Sequence, residues 1–196
     1  MPGQDCQLRM KLKVLFLILT LKMSSIISAE SYGIVVHGGA GVLSGLSIER
    51  QQEIENKVKD TLISAYKILE DGGSSMDAVE FAVSEFEDST LFNAGKGSVY
   101  NSDEFQEMDA SIMNGSDRSA GAVASVQIIK NPIKLARKVL EETDHVLLVG
   151  KGAEIFAKDI EVTTVDRSYF HSEKNLKRLK KAKKMISDNN VVEDKI

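Results

Sequence analysis

Ala120-Gly121-Ala122-Val123-Ala124-Ser125, running on into Val126, Gln127, Ile128 and Ile129, constrains the fold of this chain more than any other segment. It is too apolar for a loop, and its side chains are too small to fill a wide interior, so it suits a strand lying close against a neighbouring layer. A second strand is predicted over Met108 to Met113, with Asn114-Gly115 marking the turn region between the two. Asn131-Pro132 then opens a helix: asparagine can cap it, and proline sits where its missing N–H does no harm. Ile133, Ala136, Val139 and Leu140 fall on the core side of that helix.

The remaining elements follow from the same periodicities. Gly33 to Val36 reads as a buried strand ending in the glycine loop His37-Gly38-Gly39-Ala40-Gly41. Ile54, Val58, Leu62, Ala65 and Leu69 recur at spacings of three and four, which predicts a helix of about twenty residues stopping at Gly72-Gly73. Ser74 can cap the next helix with Asp77 as its reciprocal partner, and Ala78, Val79, Ala82, Val83 and Phe86 form its buried face. Leu91 to Gly97 is an irregular glycine-containing loop, His145 to Val149 a strand, and Ala153 to Lys158 a short helix. Strands alternating with helices in this order predict a layered α/β domain, and no internal repeat is present.

Composition narrows the function. With 196 residues, 28% charged and 42% apolar, the chain suits one globular domain. Three histidines and one cysteine cannot build a Cys/His zinc site or a disulfide framework. A formal net charge of -4 argues against a general grip on phosphate backbones. The segment from Lys174 to Lys184 is nonetheless strongly basic, interleaved with Leu176, Leu179 and Ala182. It reads as an amphipathic helix with a solvated lysine face. A membrane or nucleic-acid role is the alternative, but no aromatic is interleaved to stack on a base. No nucleic-acid or membrane partner is therefore expected. Ser187 to Lys195 is expected to end the segment as a linker.

The N-terminus has a different character. Met10-Lys11-Leu12-Lys13, the apolar run Val14 to Leu21 and the small-residue stretch ending Ser28-Ala29 fit a secretory signal peptide over about residues 10 to 29, which implies a periplasmic or secreted protein. A buried N-terminal helix is the alternative. Cleavage after Ala29 would remove Cys6 and take the formal net charge from -4 to -7, since Arg9, Lys11, Lys13 and Lys22 leave with Asp5. Residues 30–172 then form the domain, and 173–196 a basic helix and linker.

Taken as bare patterns, the glycine loops are uninformative. Ser44 stands where a dinucleotide fingerprint wants its third glycine, and Gly97 separates Lys96 from Ser98 where a phosphate loop would join them. No Gly-x-Ser-x-Gly elbow exists, and His37, His145 and His171 have no partners that periodicity would bring to them.

The combination is far more specific. His37-Gly38-Gly39-Ala40-Gly41, Leu69-Glu70-Asp71-Gly72-Gly73-Ser74 with Asp77-Ala78-Val79-Glu80, Leu91-Phe92-Asn93-Ala94-Gly95-Lys96-Gly97-Ser98, Met108-Asp109-Ala110-Ser111-Ile112-Met113, Ala120 to Ala124 and Asn131-Pro132-Ile133 occur in one order. Together they closely resemble the plant-type L-asparaginase and isoaspartyl peptidase family of N-terminal nucleophile hydrolases, from about Gly33 to Phe170. The resemblance implies an αββα sandwich made as one precursor that cuts itself into an α and a β chain, assembling as (αβ)2. The β chain begins with a threonine whose hydroxyl attacks the side-chain amide of L-asparagine or the bond after isoaspartate. Its own α-amine, with an ordinary pKa of about 7.7 to 8.0, acts as base.

In this sequence no threonine follows a glycine, and Thr20, Thr61, Thr90, Thr143, Thr163 and Thr164 cannot stand in for the nucleophile. The resemblance therefore implies that this is the α-chain half, inactive alone, with the catalytic threonine beyond Ile196. A non-catalytic fragment acting as a structural or binding partner is the alternative. No catalytic cofactor is implied. A structural sodium ion is, held by the main-chain oxygens of Phe86, Glu87, Ser89, Phe92, Ala94 and Lys96. Asn93 would face the nucleophile, although its loop could equally be plain turn chemistry. His37 is expected to be a satisfied core histidine and Asp109 a structural hydrogen-bond acceptor.

Overall fold

The computed structural model describes residues 32–41 and 43–193, so the predicted signal peptide and the last residues of the predicted linker lie outside the described residues. Three strands form one mixed sheet: β1 (Met108–Met113), β2 (Ala120–Val126) and β3 (Leu147–Val149), in the order β1-β2-β3. β1 and β2 are antiparallel, pairing Met113 with Ala120 and Ile112 with Gly121, while β2 and β3 are parallel, with Val123 beside Leu148. A parallel neighbour cannot be reached by a tight turn, and α3 (Pro132–Glu142) makes that crossover. The expected strand through Ile129 ends sooner, at Val126; Ile129 itself forms an isolated bridge with Thr164.

Small side chains explain how closely the layers meet. A Cβ on Gly121 would strike the Ala136 carbonyl oxygen and the Leu140 backbone, so α3 rests directly on β2. The core gathers Met108, Ile112, Val123, Val126, Ile129, Ile133, Leu135, Val139 and Phe170, together with Ala153 and Ala157 of α4 (Gly150–Asp159). Burying side chains of this size contributes roughly 1.5–3 kcal/mol each. The opposite face of the sheet is open: Ser111, Met113, Leu147 and Val149 are exposed.

Two further helices precede the sheet. α1 (Ile48–Glu70) buries Thr61 and Ala65 and turns the stripe containing Ile54, Val58, Leu62 and Leu69 inward, as its spacing predicts. α2 (Ser75–Glu87) starts with the predicted capping box: Ser74 Oγ accepts from the Asp77 N–H at 3.1 Å, and Asp77 Oδ2 accepts from the Ser74 N–H at 3.1 Å.

Several expectations fail, each for a physical reason. Gly33 to Val36 is not a strand, because it finds no sheet neighbour among the described residues, and Val35 is exposed rather than buried. His37, at the end of that segment, is exposed and is not a core histidine; its Nδ1 accepts from the Gly39 N–H at 3.2 Å. Asn131 does not cap α3 with its side chain, which donates instead to Asp88 Oδ1 at 3.1 Å. The basic helix α5 (Glu173–Glu193) continues through most of the segment expected to be linker.

Candidate functional site

The residues singled out by the resemblance gather at the connection between α2 and β1. Phe86, the penultimate residue of α2, is buried against Phe92, with ring centroids 4.4 Å apart. The aromatic pair anchors the loop by its apolar rings and leaves its main chain free to serve other purposes. Gly38 of the glycine loop lies against the Phe92 ring, where a Cβ would approach Cε1 to 3.0 Å, so the segment after His37 packs under this loop.

Main-chain oxygens crowd the turn that follows. Gly95 has φ +46°, a conformation that favours glycine, and a Cβ there would meet the Glu87 carbonyl oxygen. A Cβ on Gly97 would meet the carbonyl oxygens of Phe92 and Ser89. The carbonyl oxygens of three of the six residues in the expected sodium loop, Glu87, Ser89 and Phe92, thus pack against Gly95 or Gly97. The Ala94 carbonyl also accepts from the Gly97 N–H at 2.9 Å, and the Phe86 carbonyl from the Ser89 N–H at 3.2 Å, which fixes the turn.

Side-chain roles in the same stretch diverge. Glu87 is buried, and its Oε1 accepts from the Ile133 N–H at 2.9 Å in the first turn of α3, doing the capping that Asn131 was expected to do. Burial pushes its pKa up to about 7, against the opposing pull of the Ile133 N–H. Ser89 is half-buried, as is Ala94. Lys96 is exposed, with its ammonium 5.4 Å from the centroid of the Tyr169 ring. Beside them Asp88 draws Lys130 to 3.0 Å and also holds Asn131.

Asn93 is exposed at the loop's tip, and its Oδ1 accepts from the Val99 N–H at 2.9 Å. With the oxygen engaged, the NH2 meets no acceptor among the described residues and is a donor suited to a carbonyl or carboxylate oxygen. Asp109 stands apart on β1 and accepts from the Ser125 N–H at 2.8 Å, the structural acceptor expected of it. Asn175 on α5 was not foreseen: its Nδ2 donates to the carbonyl oxygens of Gly97 and Ser98, both at 3.1 Å. Only its place in a lysine-rich helix was legible, and that pattern says nothing of a contact across seventy-odd residues.

Comparison with known proteins matches the same stretch of chain. Residues 30–196 fit the sequence pattern of the family described as Asparaginase. An isoaspartyl peptidase/L-asparaginase of Mus musculus is 47% identical over 150 residues, covering 76% of this chain and 45% of the mouse protein. The Homo sapiens protein of the same name is also 47% identical over 150 residues, 48% of its length. A plant-type L-asparaginase of Pyrococcus horikoshii is 51% identical over 125 residues, 64% of this chain and 40% of its own. The chain therefore spans about half the length of the curated relatives it matches. With a family match that runs through its glycine loop, its Asn93 loop and its whole sheet, this chain belongs to the asparaginase family.

Proposed function

We propose that this chain is the N-terminal, α-chain portion of an isoaspartyl peptidase/L-asparaginase, hydrolysing L-asparagine and isoaspartyl peptides together with a β chain that carries the nucleophilic threonine. The observation that carries this reading is the family match across residues 30–196, joined to relatives whose names state that activity. In the reaction, the threonine hydroxyl attacks the amide carbonyl, its proton passes to the threonine's own α-amine, and ammonia or the amino-side product leaves. Water then hydrolyses the acyl-enzyme. Asn93, with its oxygen held by Val99, offers its NH2 to this site from the α side.

Three features of the chain support the wider arrangement. The open sheet face with Met113, Leu147 and Val149 exposed is suited to a second sheet, which would complete an αββα sandwich in an (αβ)2 assembly. A structural sodium ion would be held by the main-chain oxygens of Phe86, Glu87, Ser89, Phe92, Ala94 and Lys96, of which those of Glu87, Ser89 and Phe92 pack against Gly95 or Gly97. The signal-peptide pattern ending at Ala29 supports export, with a mature chain starting near Glu30. N-terminal sequencing of exported material that began at Met1 or Met10 would overturn that last point.

The test of function is direct. Residues 30–196 alone should release no ammonia from L-asparagine and no aspartate from isoaspartyl dipeptides. Co-expression with a downstream segment bearing a free N-terminal threonine should restore both, and Asn93→Ala in the restored enzyme should weaken them. Turnover by residues 30–196 alone, with host asparaginase excluded, would mean that the nucleophile has been misplaced.

A further inference from the structure

One peptide group links Asn93 to the last helix. Its N–H, on Val99, donates to Asn93 Oδ1 at 2.9 Å. Its C=O, on Ser98, accepts from Asn175 Nδ2 at 3.1 Å, and the same Nδ2 reaches the Gly97 carbonyl at 3.1 Å. The sequence of contacts is carboxamide, peptide, carboxamide, a chain in which each hydrogen bond polarises the next. Because two carbonyl oxygens face Asn175, only its NH2 can serve there; because an N–H faces Asn93, only its oxygen can serve there.

We propose that Asn175 is a positioning residue for Asn93: through the Ser98–Val99 peptide group it fixes the direction in which the Asn93 carboxamide presents its NH2 to a ligand. Asn175 is well held for this task. It lies in the first turn of α5, where its own N–H donates to Ser172 Oγ at 3.3 Å. That turn is in turn fastened to the segment just past Val99. Tyr100 Oη lies 2.9 Å from His171 Nδ1 and accepts from the Ser172 N–H at 3.2 Å. Further along, Lys183 meets Glu104 at 3.2 Å. α5 thus lies along residues 97–104, tied in its first turn and again at its middle, with Leu179 beside Val99 and Tyr100 in the groove between them. The bearing of Asn175 on hydrolysis rests on the function proposed above; its hold on the Ser98–Val99 peptide does not.

Two substitutions separate positioning from a role in the helix alone. An aspartate in the first turn of a helix is favourable to the helix, so Asn175→Asp would be tolerated if Asn175 served only α5. In the positioning role Asp is the worse change, because its carboxylate would face two carbonyl oxygens with no proton to offer. In the protein as its gene encodes it, Asn175→Asp and Asn175→Ala should speed hydrogen exchange at the Val99 amide by about tenfold, the loss of one net hydrogen bond, with Asp the faster of the two. Exchange in the second half of α5 should be unchanged. For hydrolysis of asparagine or an isoaspartyl dipeptide, kcat should fall by about tenfold in Asn175→Asp, with KM little altered. Wild-type exchange at Val99 and wild-type kcat in Asn175→Asp would overturn the proposal. If the unsubstituted chain, co-expressed with the β segment, hydrolyses neither substrate, the functional reading has failed, and exchange at Val99 alone decides whether Asn175 holds this peptide.

Discussion

Gly121 of β2 faces the carbonyl oxygen of Ala136 on α3 with no room for a methyl group between them. The contact sets how closely the crossover helix lies on the sheet. Gly121→Ala should therefore cost about 3 kcal/mol, because the backbone of α3 must move to admit one carbon. Gly152, in α4, has nothing within 4 Å of the position its Cβ would take, and Gly152→Ala should stabilise by about 0.5–1 kcal/mol through helix propensity. Urea denaturation of the two variants checks both; equal effects would mean that space beneath α3 is not what demands glycine at 121.

Glu87 gives a pH dependence of opposite sign to that of most carboxylates. Its pKa is pushed up by burial to about 7, so the folded protein holds a proton that the unfolded chain releases near pH 4.3. Stability from this group is fully present below about pH 4.3 and is lost as pH rises through about 7. Glu87→Gln, neutral at every pH and still able to accept from the Ile133 N–H, should match the parent near pH 4.5 and exceed it at pH 8 by on the order of 2 kcal/mol. Denaturation midpoints at the two pH values decide it, and a variant weaker than the parent at pH 8 would show that the charged form is the one the fold uses.

Asp77 runs the other way. The Ser74 hydroxyl, and after it the Arg137 guanidinium 2.8 Å away, hold its carboxyl down at about 2. Its contribution is present above the unfolded value near pH 3.9 and is lost as pH falls through about 2. Asp77→Ala should cost about 1 kcal/mol at pH 7, modest because the side chain is largely exposed. The difference from the parent should stay constant above pH 5 and shrink as the solution is acidified from about pH 4 toward 2. A gap that widened on acidification would contradict the assignment.

What the sequence made legible was local. The Ser74–Asp77 box was readable because both partners lie within one turn, and Asp109 because a carboxylate on a strand rich in small residues has few other uses. The cap of α3 was misread because the donor's true partner, Glu87, is 46 residues from Ile133 in sequence. Gly33 to Val36 carries strand composition, but composition cannot supply a neighbouring strand. At the candidate site the Asn93 loop could be placed by its glycines and by resemblance. The tie from Asn175 could not, because asparagine in a lysine-rich helix gives no sign of what it touches across the fold.

The order of elements in the sheet carries a kinetic consequence. β1, β2, α3 and β3 are consecutive in the chain, so the whole sheet closes over residues 108–149 with short loops and little entropy lost to bringing distant segments together. The bonds from Asn175 to Gly97 and Ser98, by contrast, span 78 and 77 residues. We expect the sheet to form early on the folding pathway and α5 to dock onto the Asn93 loop late. In chevron measurements Asn175→Ala should then speed unfolding and leave the refolding rate unchanged, whereas Gly121→Ala should slow refolding. A slower refolding rate in Asn175→Ala would place the docking of α5 before the transition state instead. On this ordering, the loop carrying Asn93 reaches its final geometry only in the last step of folding.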